Sequence, residues 1–359
     1  MTVYIVLFVY LLLIEALSRS LSKKKRRNFL VICGGFGLWL VLSLRSVYCG
    51  VDLMQGVAGA RNYLWMFEDA KSQSFSSFLF GYGDRLEAGW MVLCKLLSLL
   101  SGNFNVFLAL IAAIQIFLIG FVLKNTSKNI TFSYIVYFCF GLYALDFSAL
   151  RQATAFAITF CASYFLLKNK SKIFLLLVIL ATTIHQSSIL FLIVFFFRKL
   201  KFTDLRAITL FVSIILALPV LGFLVELLSA AVFSGHYNAK AVLDSGGAYT
   251  MFVVYGLLVL LSLRFPNNKE NDFIRYMITL AFVSQSLGVV SSSYLTRIGY
   301  FFQVFFLLYF PLLLETYFDK KDRGFIMFLG SLLFLAFFYL TTVNSPLEII
   351  PYKFFWELY

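Results

Sequence analysis

Apolar runs of about 15–22 residues recur from one end of the chain to the other, and short polar links separate them. That is the length an α-helix needs to cross a bilayer core, roughly 20 residues. The pattern predicts spans that include about 3–18, 28–44, 104–123, 130–147, 151–167, 207–228, 249–263, 273–290, 298–318 and 325–343. Two runs fit less simply. Trp90–Leu100 is short and is divided from Phe104–Leu123 only by Ser101-Gly102-Asn103. If both crossed, Lys124, Lys128 and later Lys168–Lys172 would lie outside, so the shorter piece is read as interfacial or re-entrant. The run Ile173–Phe197 has basic residues on both flanks and Thr182-Thr183-Ile184-His185-Gln186-Ser187-Ser188 at its middle. This favours a hairpin with His185 at its tip, with one long span as the competing reading. The stretch Val57–Lys71 interleaves aromatic, aliphatic and charged residues, as an interfacial helix does.

Composition narrows the class. The 359 residues are 61% hydrophobic and 13% charged, against roughly 45–50% and about 25% in soluble domains. The expected fold is all-α: a single polytopic integral membrane domain over 1–359, with about eleven transmembrane helices and one or two re-entrant or interfacial segments. Met1–Leu17 is followed, not preceded, by Lys23-Lys24-Lys25-Arg26-Arg27, which reads as a retained first span with its N terminus outside. Residues 45–86 then form an extracytoplasmic loop and 344–359 an extracytoplasmic tail that reads as an aromatic interface anchor.

The net charge of +13 raises nucleic acid as a partner. Twenty of the thirty lysines and arginines sit in six short links between apolar runs, which is an orientation signal and excludes a nucleic-acid footprint. The five cysteines show no metal spacing and only two histidines occur, so neither a metal nor another cofactor is expected. There is no Walker A, HExxH or GxSxG sequence, and Gly34-Gly35-Phe36-Gly37 reads as helix packing.

The expected topology gathers Arg45, Asp52, Glu87, Arg151, Gln152 and Arg297 on one face, with His185 reaching toward it. A buried arginine at mid-bilayer costs about 2.5–3.5 kcal/mol, so each is either interfacial or tied to function. Three guanidinium groups around one cavity suit an anionic ligand, because they bind phosphate oxygens in pairs and stay charged at low dielectric. Glu87, His185 and Asp52 are the acid/base candidates. The plainer alternatives are a helix cap for Glu87, a turn or cap for Asp52, a hydrogen-bonded core residue for His185 and snorkelling for Arg297.

An early outer Arg, Gly50-Val51-Asp52, Glu87-Ala88-Gly89-Trp90, Arg151-Gln152, Ile184-His185-Gln186-Ser187-Ser188, Arg297 and Pro351-Tyr352 occur in that order. The set resembles the EpsG family, grouped with Wzy-type polymerases of bacterial exopolysaccharide and capsule. Family members commonly have Gly-Thr-Asp where this chain has Gly50-Val51-Asp52, which removes a hydroxyl at position 51 and leaves the Asp. The resemblance implies glycosyl transfer on the outer face of the cytoplasmic membrane, with an oligosaccharide repeat unit on undecaprenyl diphosphate as substrate. It implies diphosphate or sugar binding by Arg45, Arg151, Gln152 and Arg297, and catalysis among Glu87, His185 and Asp52. The pathway's flippase and chain-length regulator are its expected company, with the lipid bilayer itself. A flippase for the same lipid, a membrane ligase or acyltransferase, and an inactive structural subunit stay open as rivals at this stage. A transporter usually shows internal repeats, and none is evident here.

Overall fold

The computed structural model describes residues 1–54, 62–80, 87–203, 209, 249–290, 297–343, 345 and 347–357. Expectations about 55–61, Asp84, Arg85, the 207–228 span, the link holding His236 and Ser291–Tyr294 lie outside the described residues.

Among the described residues all regular elements are helical, and an isolated bridge pairs Arg45 with Phe354. In chain order they are α1 (Thr2–Ser18), α2 (Lys23–Ser43), α3 (Tyr63–Ser72), α4 (Phe75–Phe80), α5 (Ala88–Ser98) and α6 (Phe104–Thr126). Then come α7 (Ile130–Cys139), α8 (Leu142–Ser148), α9 (Leu150–Leu167), α10 (Ser171–Ile184), a 3-10 helix (Gln186–Ile193) and α11 (Val194–Phe197). The last described helices are α12 (Tyr249–Ser262), α13 (Lys269–Val290), α14 (Tyr300–Gln303), α15 (Phe306–Tyr317) and α16 (Arg323–Thr342). The chain forms two compact units, Met1–Leu192 with Asp319–Tyr359, and Ile193–Phe318.

Three described helices, α6, α9 and α16, are long and apolar enough to cross a membrane. The pair α7 and α8 makes a fourth if it counts as one span. The fuller expectation of about eleven also drew on shorter apolar helices such as α1, α12 and α15, and on residues outside those described.

In the first unit α2 packs on α6, α6 on α9, α9 on α10, and α7 against α16. Helix α9 is the central one, with 78% of its residues buried, whereas α16 buries 17% of its apolar window and turns the rest outward. Gln115 in α6 pins the start of α9 by donating to Thr154 Oγ1 at 3.1 Å and to the Leu150 carbonyl at 3.4 Å. In an apolar interior such bonds fix one helix register against another.

The expected span 130–147 is bent and made of two helices. Helix α7 stops at Cys139, and α8 leaves at 56°. The cause is Gly141, which takes a left-handed φ of 91° and cannot continue the helix. The tail also differs from a simple interface anchor. Ile349 is fully buried, with its carbonyl accepting from Tyr4 Oη at 2.7 Å, and Tyr352 Oη donates to the Val41 carbonyl at 2.8 Å. Its last described residues, Phe355, Trp356 and Glu357, are exposed.

The region around His185 folds back. α10 ends as His185 turns extended, and the Phe174 and Phe191 rings come within 6.2 Å of each other. An unbroken helix would hold two residues 17 positions apart about 25 Å from each other. A return is therefore required, as in the hairpin reading. Helix α5, at 11 residues, spans only about 16 Å and cannot cross a bilayer by itself.

In the second unit α12 packs on α13, and Arg275 is buried at their turn. It donates to the Ser262 carbonyl at 2.9 Å and pairs with Asp272 at 2.8 Å. This residue, counted by sequence among the orienting cations of a basic link, serves as a cap for the carbonyls at the end of α12.

Candidate functional site

The helix starts and breaks of the first unit leave backbone N–H groups that no helix turn satisfies. Three of these irregular points meet. Arg151 is the second residue of α9, His185 and Gln186 form the break after α10, and Glu87 immediately precedes α5.

Glu87 occupies the N-cap position of α5, yet its side chain makes no capping bond. The carboxylate turns away from its own helix. Oε2 pairs with Arg151 Nη1, and Oε1 accepts from the Gln186 backbone N–H at 3.3 Å. Oε1 also lies 3.6 Å from His185 Nδ1. One carboxylate thus faces the guanidinium, the imidazole and an orphan backbone donor at once. Burial opposes its charge, but the His185 ring and the Arg151 guanidinium outweigh burial and hold the carboxyl down at about 2.

What brings Glu87 there is local packing. A Cβ at Gly89 would fall 2.2 Å from Thr183 Oγ1 and 2.7 Å from the Thr183 carbonyl oxygen. Only a glycine lets α5 approach α10 this closely, so Glu87-Ala88-Gly89 carries both the acid and the means of delivering it. Trp90 beside it is fully buried and meets the Tyr63 ring at 5.5 Å, edge to face. Tyr63 in turn accepts the Arg151 backbone N–H through its hydroxyl at 3.2 Å. It opens α3, and its own N–H donates to the Asp52 carbonyl at 3.1 Å. Asp52, exposed at this point, is joined to Arg151 through Tyr63.

Of the residues expected at one site, Glu87, Arg151 and His185 are in direct contact and Asp52 is one residue removed. Gln152 is buried within α9. Arg297 is exposed in the second unit. Arg45 is 1% exposed and is not offered to a ligand. Its Nη2 donates to the Asp146 carbonyl at 2.9 Å, its Nη1 to the Leu42 carbonyl at 3.2 Å, and its guanidinium lies 4.9 Å from the Phe147 ring centre. A buried cation bonded in this way is a brace between α2 and α8. Gly50, with φ of 127°, lets the following loop touch the same turn, since a Cβ there would sit 2.2 Å from the Phe147 carbonyl oxygen.

Sequence reasoning missed Tyr63, Gln115 and Asp146. The last is fully buried in α8 and accepts from Tyr137 Oη. Asp146 carried a signal, an acid within an apolar run. Tyr63 carried none among 20 tyrosines. Among the described residues no three His, Cys, Asp or Glu side chains converge as a metal-binding group.

Compared with known proteins, a family model described as the EpsG family matches residues 37–354. No curated protein and no solved structure matches.

Proposed function

The chain belongs to the EpsG family, membrane proteins of exopolysaccharide biosynthesis, and from that membership and the Glu87–Arg151–His185 cluster we propose that it is a polysaccharide polymerase. In this reading it joins oligosaccharide repeat units carried on undecaprenyl diphosphate at the outer face of the bacterial cytoplasmic membrane. The observation that carries it is the meeting of a cation, an imidazole and a carboxylate at helix breaks in an otherwise apolar bundle.

The reaction needs a base for the acceptor hydroxyl and charge stabilisation for the leaving lipid diphosphate. The acceptor oxygen attacks the anomeric carbon of the donor, whose bond to the diphosphate breaks with the electron pair leaving on phosphate. Arg151 meets that charge. A quarter of its side chain is exposed beside the ion pair with Glu87. His185 takes the proton. Glu87, held ionised at about 2, is too weak a base to serve well at neutral pH. Its part is to orient the arginine and to stabilise the imidazolium as it forms, as a carboxylate does beside a catalytic histidine. Asp52, joined to Arg151 through Tyr63, positions substrate.

The test is elongation by purified protein given lipid-linked repeat unit. Arg151→Ala and His185→Gln should each abolish polymer growth while the protein inserts normally. Long polymer from a correctly inserted Arg151→Ala protein refutes the assignment. Transfer to a different acceptor identifies a ligase, and transbilayer movement without new bonds a flippase.

A further inference from the structure

A second polar site stands apart from this cluster, where α2 begins and the turn between α6 and α7 passes beside it. A cavity of about 380 Å³ opens there between Lys23, Arg26, Arg27 and Lys128, with Leu21 and Ile130 on its apolar side. Among the described residues no acidic side chain lines it.

Both arginines have structural work. Arg26 pairs with Glu15, which is buried and also accepts from Thr131 Oγ1 at 2.7 Å. Arg27 donates to the carbonyls of Leu123, Lys124 and Ser127 at 3.1, 3.0 and 3.1 Å, closing the end of α6. Those contacts fix two positive groups at the cavity wall and explain neither Lys23 nor the cavity.

The helix itself makes the arrangement unusual. The first turn of α2 is Lys-Lys-Lys-Arg, it has no acidic residue, and Ser22 makes no capping bond with its side chain. Cations at a helix N-terminus face the positive end of the helix dipole, the reverse of the favourable placement. The orientation bias of membrane proteins accounts for basic residues in this link. It does not account for their converging, with Lys128 from another link, around an empty volume that has an apolar side. A phosphate group in that volume would meet the positive helix end and four cations together.

We propose that this cavity binds the phosphate headgroup of an anionic phospholipid from the leaflet that the basic links face. The chemistry recognised is a phosphoester anion. The apolar side of Leu21 and Ile130 selects a lipid over free phosphate, because acyl chains continue from the headgroup along it. The site tethers α2 to the α6–α7 turn through the lipid.

Full-length protein in nanodiscs of phosphatidylcholine, titrated with short-chain fluorescent phosphatidylglycerol, tests this directly. Saturable binding is expected, and Lys23→Gln with Lys128→Gln should weaken it about 30-fold, from the attraction of two lysines to an anionic headgroup. Lys24→Gln with Lys25→Gln removes the same charge from the same link but not from the cavity wall, and it should leave the affinity unchanged. Equal weakening by that control pair, or equal binding of a phosphatidylcholine probe, overturns the proposal. Inorganic phosphate displacing the lipid at equal concentration also overturns it, since a free anion is then the occupant. Lys23→Arg with Lys128→Arg should retain binding and shows that the folded cavity tolerates substitution.

Discussion

Replacing Glu87 by Gln keeps the shape of the side chain and removes the charge that faces Arg151, His185 and the Gln186 N–H. The folded protein holds this carboxyl at about 2, against an ordinary value of 4.5. At 1.36 kcal/mol per tenfold change in proton affinity, that depression is worth about 3 kcal/mol of folding stability at neutral pH. The Glu87 side chain is 10% exposed and Arg151 25%, so solvent screening removes only part of it. The sign follows from the direction of the shift. A carboxyl whose folded value lies below its unfolded one stabilises fully above about 4.5 and loses that contribution as the pH falls toward about 2. Thermal unfolding of wild type and Glu87→Gln in the same detergent should therefore differ by about 2–3 kcal/mol at pH 7. The gap should hold steady down to about pH 5.5, shrink from pH 4 downward, and fall to roughly a quarter of its neutral value by about pH 2.5. A gap under about 1 kcal/mol at neutral pH, or one that does not change between pH 7 and 3, refutes the placement of this carboxylate between the arginine and the histidine.

Gly89→Ala should cost about 1–3 kcal/mol by pushing α5 from α10, and Thr183→Ala should not rescue it, because the Thr183 carbonyl oxygen stays 2.7 Å from the new methyl. Unfolding temperatures of the single and double variants decide this. Tyr63→Phe removes the acceptor of the Arg151 N–H and should cost about 1 kcal/mol with a partial loss of polymer, measured by chain-length analysis beside unfolding. Arg45→Ala should lower stability by about 3 kcal/mol or more, since it strips a buried cation from the Asp146 and Leu42 carbonyls. If its unfolding matches wild type while polymer is lost, Arg45 is a ligand residue after all.

Much of the site was legible because chemistry in a membrane protein stands out against an apolar background. Arg151 and Glu87 at the edges of apolar runs, and His185 within one, are costly placements that sequence alone exposes. Their pairing was not legible. Glu87 and Arg151 are 64 positions apart, and the sequence alone fits a helix cap for the acid equally well; the close approach of Gly89 to Thr183 is what turns it toward Arg151. Arg45 shows the converse. Its cost was visible, but whether a ligand or the protein's own carbonyls met its charge depended on α8, whose separate direction comes from the left-handed Gly141.

The sequence by itself determined the helical class, the apolar lengths, the basic links and the family, all of which rest on local composition and order. The tertiary structure decided which polar groups meet. It split 130–147 at a glycine, drew the tail among the helices through Tyr352 and Ile349, made Arg45 a brace and joined Glu87 to Arg151. The reason is that burial sets how much each polar group needs a partner, and only the packing of distant segments determines which partner it gets.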